Sequence, residues 1–315
     1  MMNSKLLICL LILSGCNLLA QEQDLDQFIQ NDSIEKDVEP VYATFKSTRI
    51  VNARSNEIVK KNELDFVISH RFGDAGGHYG GFKTFFGTDN ASDIKIAFDY
   101  GLSNKWAVGI SRSKGATAIR ELYEINSKYK LLEQTQKNRI PLSITLFGNA
   151  VISAMGSNVN PKVPDHFDTF SDRWSFVGQL ILTKKINSNY SIAVLPTYVH
   201  YNRVGYGDNN DHFALGFGAR AKLTKRMALI TDYFYNFKSG SRNDFFSANG
   251  LPFYNPLAVG LEMETGGHVF QITFMNNTAL LENQFVPYTT TAWEKGQFRW
   301  GFSISRPFAM GKKKK

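Results

Sequence analysis

Arg299-Trp300-Gly301-Phe302-Ser303-Ile304-Ser305 places a large apolar side chain at every second position and a small or charged one between. Side chains of a strand point alternately to opposite faces. Trp300, Phe302 and Ile304 therefore share one face, and Arg299, Gly301 and Ser303 the other. The same period recurs along the chain. Leu64, Phe66 and Ile68 alternate with Asp65 and Val67; Ile94, Ile96 and Phe98 with Lys95, Ala97 and Asp99; Trp106, Val108 and Ile110 with Ala107 and Gly109. It continues through Ile140, Leu142, Ile144 and Leu146, through Phe213, Leu215 and Phe217, and through Leu257, Val259, Leu261 and Met263. A soluble sandwich also alternates, but two features point to a membrane barrel. The second face is rich in Gly, Ala and Ser, which suit a crowded lumen. The segments also reach the roughly ten residues that a tilted membrane strand requires.

The connections support this reading. Tight ones fall at Leu102-Ser103-Asn104, Asn187-Ser188-Asn189, Thr224-Lys225 and Thr265-Gly266-Gly267, and longer ones lie between them: Gly73 to Ala91, Ser153 to Ser171, Asn202 to Asn210, Lys238 to Tyr254 and Asn276 to Gly296. Ser113 to Gly115 is the one short exception. Short periplasmic turns alternating with longer outer loops describe an all-β, single transmembrane antiparallel up-and-down barrel of about twelve strands, both termini periplasmic. The barrel is assigned to residues 41–311. Val41 to Val51 is also strand-like, and reads as an extra strand or as a segment lying against or inside the barrel. Phe298, Trp300, Phe302, Ile304 and Phe308 resemble the aromatic terminal strand read by barrel-assembly machinery, although Ala309 to Lys315 follow the final Phe.

Residues 1–20 read as a cleaved signal: Lys5 precedes the apolar run Leu6 to Leu13, which is too short to span a bilayer, and Ala20-Gln21 offers a cleavage step. Leu13-Ser14-Gly15-Cys16 also fits a lipobox, with Cys16 acylated, so a lipoprotein is the alternative. Both cysteines lie in this leader, and cleavage after Ala20 leaves no disulfide and no Cys metal site. Residues 21–40 read as an acidic, disordered periplasmic segment through Glu22, Asp24, Asp26, Asp32, Glu35 and Asp37, and 312–315 as a solvated lysine tail. The net charge of +8 raises nucleic-acid binding, which export argues against.

Ala43-Thr44-Phe45-Lys46-Ser47-Thr48-Arg49, Asp65-Phe66-Val67-Ile68-Ser69-His70-Arg71-Phe72-Gly73, Phe98-Asp99-Tyr100-Gly101-Leu102-Ser103 with Trp106 to Ile110, and Glu264-Thr265-Gly266-Gly267-His268-Val269-Phe270-Gln271 resemble a Bacteroidota family of outer-membrane β-barrel proteins of unknown function. The resemblance covers nearly all of the chain from Val41 onward. It implies an outer-membrane barrel and carries no activity, so no functional residue is transferred from it.

Chemical motifs are sparse. A lipase-type site needs Ser and His within hydrogen-bond reach, whereas Ser69 and His70 are neighbours on opposite faces of a strand. The six histidines (His70, His78, His166, His200, His212, His268) show no paired ligand spacing. His166 with Asp168, and Asp208-Asn209-Asn210-Asp211, read as solvated loops rather than metal sites. Gly76-Gly77 and Gly80-Gly81 lack a strand-to-helix context for phosphate. No catalytic residue, metal or cofactor is assigned, and the chain reads as a non-enzyme.

Alternation directs Asp65, Lys95, Asp99, Arg120, Glu124, Lys128, Arg220, Glu262, Glu264 and Arg299 to the lumen, because charge at the lipid midplane costs several kcal/mol. It directs Trp106, Val108, Phe213, Leu215, Trp300 and Phe302 to lipid. Mixed signs inside favour pairing across a filled lumen. The reading is therefore a structural or partner-binding barrel with a closed or narrow lumen, serving a periplasmic or surface protein. The alternatives are a passive pore for small solutes and a lipid-modifying barrel enzyme.

Overall fold

A computed structural model describes residues 39–311. The signal and lipobox readings at 1–20, the acidic segment up to residue 38 and the lysine tail lie outside the described residues.

Twelve strands form one closed barrel: β1 (Glu63–Phe72), β2 (Ala91–Gly101), β3 (Trp106–Ser113), β4 (Leu122–Leu132), β5 (Ser143–Ser153), β6 (Trp174–Lys185), β7 (Tyr190–Tyr201), β8 (Asp211–Lys222), β9 (Met227–Asn236), β10 (Leu257–Thr265), β11 (His268–Met275) and β12 (Arg299–Ala309). Every neighbour is antiparallel. β1 and β12 close the ring from Glu63 opposite Ala309 to Arg71 opposite Gly301. Closure pairs every wall strand on both edges, which is the condition for strands to lie in hydrocarbon. Among the described residues no helix is long and apolar enough to cross a membrane.

The two faces divide as the alternation predicts. On β2, Asp93, Lys95, Ala97 and Asp99 are buried while Ile94, Ile96 and Phe98 are exposed. Exposed Ile110, Ile125, Leu146, Phe217, Leu229, Val259, Ile272 and Phe274 extend this apolar surface around the ring. It is far larger than the apolar patches soluble monomers expose. Aromatic rings gather toward its margins: Trp106, Tyr129 and Tyr190 at the short-turn end, and Trp174, Phe213, Tyr235 and the stacked pair Phe72–Trp300 at the other.

Two boundaries differ from the sequence reading. The alternation through Ile140 and Leu142 begins before β5, which starts at Ser143, because Thr135 to Ile140 closes a turn by backbone bonds. Arg120 does not enter the lumen. It is exposed in the connection before β4, since Glu121 adopts a left-handed φ of 56° that breaks the pleat between Arg120 and Leu122.

Residues 41–62 are not a wall strand. They enter at the short-turn end, where the Val41 amide donates to the Gln134 carbonyl, and leave where the Asn62 amide donates to Gly101. Between these points the chain makes a hairpin inside the barrel: the Ser55 amide bonds the Thr48 carbonyl, and the Ile50 amide bonds Ala53 around the tip. From the other end the connection 276–298 dips inward and carries a short helix, α2 (Glu282–Tyr288), which is buried from Glu282 to Pro287. A second helix, α1 (Gly240–Ala248), lies in the connection between β9 and β10.

The strands' depth yields a graded test. Ile96 is central in β2 and faces out, so Ile96→Arg should cost about 2–4 kcal/mol in folding into lipid vesicles, and Trp106→Arg at the rim roughly 0–1. Equal losses at the two positions would show that this band is not the hydrocarbon belt.

Candidate functional site in the plugged lumen

Phe45, Ile50, Val51 and Ala53 of the hairpin and Leu281, Phe285 and Val286 around α2 belong to one buried apolar cluster. The wall contributes inward apolar residues from β5 to β9: Phe147, Val151, Val177, Ile181, Leu195, Val199, Ile230 and Phe234. Gly218 belongs to this fit, because a Cβ there would meet Ile50 at 2.3 Å. Lumenal charge is concentrated on β1, β2, β4, β10 and β12, with Arg220 on β8 and Asp232 on β9.

Asp232 holds the hairpin tip. Its carboxylate accepts the backbone amides of Val51 (3.1 Å), Asn52 (2.6 Å) and Ala53 (2.8 Å), and the Asn52 side-chain amide at 3.1 Å. Higher in the lumen, Arg54 of the hairpin donates to Glu282 of α2 at 2.8 Å and to Glu124 of β4 at 2.9 Å, with its guanidinium 4.1 Å over the Phe147 ring. Glu124 also accepts from Lys95 (2.6 Å), Ser111 (2.6 Å) and Asn149 (2.8 Å), while Arg49 approaches Glu282 at 3.1 Å. This network joins the wall, the hairpin and the inward connection. Burial pushes the Glu282 carboxyl up, but Arg49 and Arg54 outweigh it and hold the group below its ordinary 4.5.

Lys128 donates to the hairpin carbonyls of Thr48 (3.0 Å), Ser55 (2.9 Å) and Glu57 (3.0 Å). Glu262 pairs with Arg220 at 2.8 Å, and Glu264, near the short-turn mouth, pairs with Lys46 of the hairpin at 2.7 Å. Arg299 meets neither glutamate; it bonds Thr291 at 3.4 Å. Asp99 accepts from Asn126 at 3.3 Å, and Asp65 is buried with one oxygen unpartnered. Of the residues assigned to lipid, Trp106 and Phe213 are exposed and Val108, Leu215, Trp300 and Phe302 half-buried among outward neighbours.

Ser69 bonds Ser303 inside the barrel, while His70 lies on the outer face stacked on Phe302, so the two do not meet. His166 bonds Asp168 at 2.9 Å in an exposed loop. Among the described residues no group of His, Cys, Asp and Glu forms a metal cluster. The alternation missed Arg49, Arg54, Arg71, Asp93, Asp232 and Glu282. Asp93 was legible, being two residues before Lys95 on one face. Asp232 was not, because its inward neighbours Ile230 and Phe234 are as apolar as outward Leu229 and Tyr233.

This fold and this interior define a transmembrane β-barrel whose lumen is filled from both ends by its own chain. The protein belongs to the family of membrane-bound beta barrel domains of unknown function (DUF5777), which it matches over residues 45–308. No protein of curated function matches the sequence. Among solved structures it is similar to the KdgM porin, at 8% identity over 78% of this chain and 99% of the porin, with a TM-score of 0.46. It is also similar to an outer membrane channel from Pseudomonas putida F1, at 10% identity over 80% and 98% with a TM-score of 0.46. A third is outer membrane phospholipase A from Escherichia coli, at 12% identity over 79% and 91% with a TM-score of 0.43.

Glu282→Gln leaves Arg49 unpaired and Arg54 half-paired, and should destabilise the closed state by roughly 3–5 kcal/mol in urea unfolding followed on gels as a heat-modifiable band. A depressed carboxyl stabilises above its unfolded pKa and loses that contribution as pH falls through the folded value. In the wild type the network should therefore persist at pH 4.5 and fail only under stronger acid; loss of closure between pH 5 and 7 would contradict this.

Proposed function

We propose that the protein is a gated pore for small polar solutes in the outer membrane, closed at rest by the hairpin 41–62 and the inward connection 276–298. The observation that carries this reading is the origin of the partners of the wall's charges. Lys128 and Asp232 bond the hairpin, Glu124 bonds the hairpin's Arg54, and Glu264 bonds the hairpin's Lys46. A lumen built only to be filled is most cheaply packed with apolar side chains, because buried ion pairs repay their desolvation poorly. Here half of the wall is charged, and withdrawing the hairpin uncovers a polar surface able to conduct water and solutes. The unequal halves also give the hairpin a direction of release: it separates more readily from hydrated charge than from the apolar wall.

A second reading has its own support. The apolar half of the lumen packs the hairpin as a core packs a strand, with Ile50 and Phe285 almost wholly buried. A barrel permanently closed in this way serves as a membrane-held scaffold for a protein partner.

Planar-bilayer recording separates the two. The wild type should show rare, brief openings. Asp232→Asn replaces a charged acceptor of three amides with a neutral one, a change of about 1.5–3 kcal/mol, so open probability should rise roughly 10- to 100-fold. Silence of both proteins at all voltages would favour the scaffold.

A further inference from the structure

Two buried arginines of the wall lack a carboxylate partner. Arg71 on β1 and Arg299 on β12 are 2% and 5% exposed, and neither has a carboxylate within 4 Å among the described residues. The Nε of each is buried and unpartnered. The two lie on adjoining strands: Arg71 is opposite Gly301, and Arg299 is the next inward position along β12. Gly301 makes room for the first. A Cβ there would lie 2.4 Å from the His70 carbonyl oxygen and 3.2 Å from the Arg71 side chain.

Arg71 has two side-chain partners, and both are neutral oxygens. It donates to Thr273 Oγ1 at 3.1 Å and to the Asn52 carboxamide oxygen at 2.7 Å. Asn52 belongs to the hairpin tip, and the same oxygen accepts from Asn277 at 2.9 Å. An amide oxygen held between a guanidinium and an NH2 donor occupies the place an oxyanion would take. When the hairpin leaves, the wall keeps the Arg71 fork, held by Thr273, which accepts from it and donates to the Gly301 carbonyl, and Arg299 at the next inward position of the neighbouring strand. Below the fork, Ser69, Ser303, Ser305 and Gln271 line a crevice between the hairpin and β1, β11 and β12. The crevice runs toward a cavity of about 300 Å³ at the short-turn mouth.

We infer that Arg71 and Arg299 form an oxyanion-binding station on the lumen wall, for a carboxylate, sulfate or phosphate group, which the hairpin's Asn52 occupies in the closed state. The inference rests on the gated-pore reading for its passage role, but not for its chemistry. A guanidinium fork binds a planar or tetrahedral oxyanion through two parallel N–H bonds, which an amide oxygen cannot match. The anion therefore competes with Asn52, and its binding loosens the hairpin.

The test follows the hairpin directly rather than current. Val51→Cys places a thiol at the buried tip, in a stretch of sequence separate from the chain's native cysteines, Cys9 and Cys16. Maleimide labelling at residue 51 is read by peptide mass on refolded protein, in sodium chloride, sodium acetate and sodium sulfate of equal ionic strength. Acetate and sulfate should each speed labelling about tenfold over chloride, in keeping with the strength of bidentate pairing. Arg71→Gln should abolish this response while raising the basal rate; Arg71→Lys, which keeps the charge and loses the fork, should retain only a small part of it. Arg299→Gln, which touches no hairpin contact, should raise the half-maximal sulfate concentration roughly threefold. Equal rates in the three salts, or an unchanged response in Arg71→Gln, would overturn the station. A sulfate response without measurable conductance would uphold the station and remove the pore, whereas conductance with no sulfate response would do the reverse.

Discussion

Closing twelve strands into a ring satisfies the backbone in lipid but encloses a space that wall side chains alone do not fill. Eight strands are just filled by their own residues and sixteen leave a water channel; twelve fall between. The rest of the structure answers that surplus volume. The hairpin 41–62 enters from one end and α2 from the other, and each brings both apolar side chains and charge. The wall is divided to receive them, with most inward apolar side chains on β5 to β9 and most inward charges on β1, β2, β4, β10 and β12. A soluble core would not be built this way. Here the outer face already satisfies the hydrocarbon, and the interior is free to be polar.

The lumenal charges bind segments rather than merely one another. Glu124 alone gathers Lys95, Ser111, Asn149 and Arg54, joining four wall strands, its own included, to the hairpin. Asp232 uses one carboxylate to satisfy three successive amides at a tip that has no strand partner. Without it those amides would be buried and unpaired, a larger penalty than the bond itself returns. Removing the hairpin costs far less if water reaches those amides than if nothing does, although Ile50 and Val51 lose their packing either way. That asymmetry couples the hairpin's position to whatever enters the lumen.

The sequence carried the barrel in plain form. Trp300, Phe302 and Ile304 against Arg299, Gly301 and Ser303 give the faces of β12, and the spacing of short and long connections gives the strand number. The interior was legible only where the wall is polar. Lys95, Glu124, Lys128 and Glu262 stand out against apolar outward neighbours. On β9 both faces are apolar, so Asp232 among Ala228, Ile230 and Phe234 shows no period. The hairpin was harder still. Arg49 and Arg54 lie in a segment with only isolated bridges, and Glu282 follows Leu280 and Leu281 in a connection whose length alone looks like an outer loop. Their meeting across 228 residues of chain is a tertiary fact with no local signature.

The two inserted segments are not independent. Arg54 of the hairpin and Glu282 of the connection 276–298 share one ion pair, Arg49 reaches the same carboxylate, and Asn52 bonds Asn277. If the hairpin withdraws alone, Glu282 is left buried beside lost cations; if α2 lifts alone, Arg49 loses the one carboxylate it pairs with among the described residues and Arg54 keeps Glu124. Each single step leaves a charge uncompensated in a partly dry lumen, which is costly. Moving both together lets water enter from both ends and solvate what is exposed. The physical chemistry therefore favours a concerted transition between a filled and a wet lumen over partial opening from either side. A device with two such states, separated by the cost of unpairing a few buried charges, is what a gate requires.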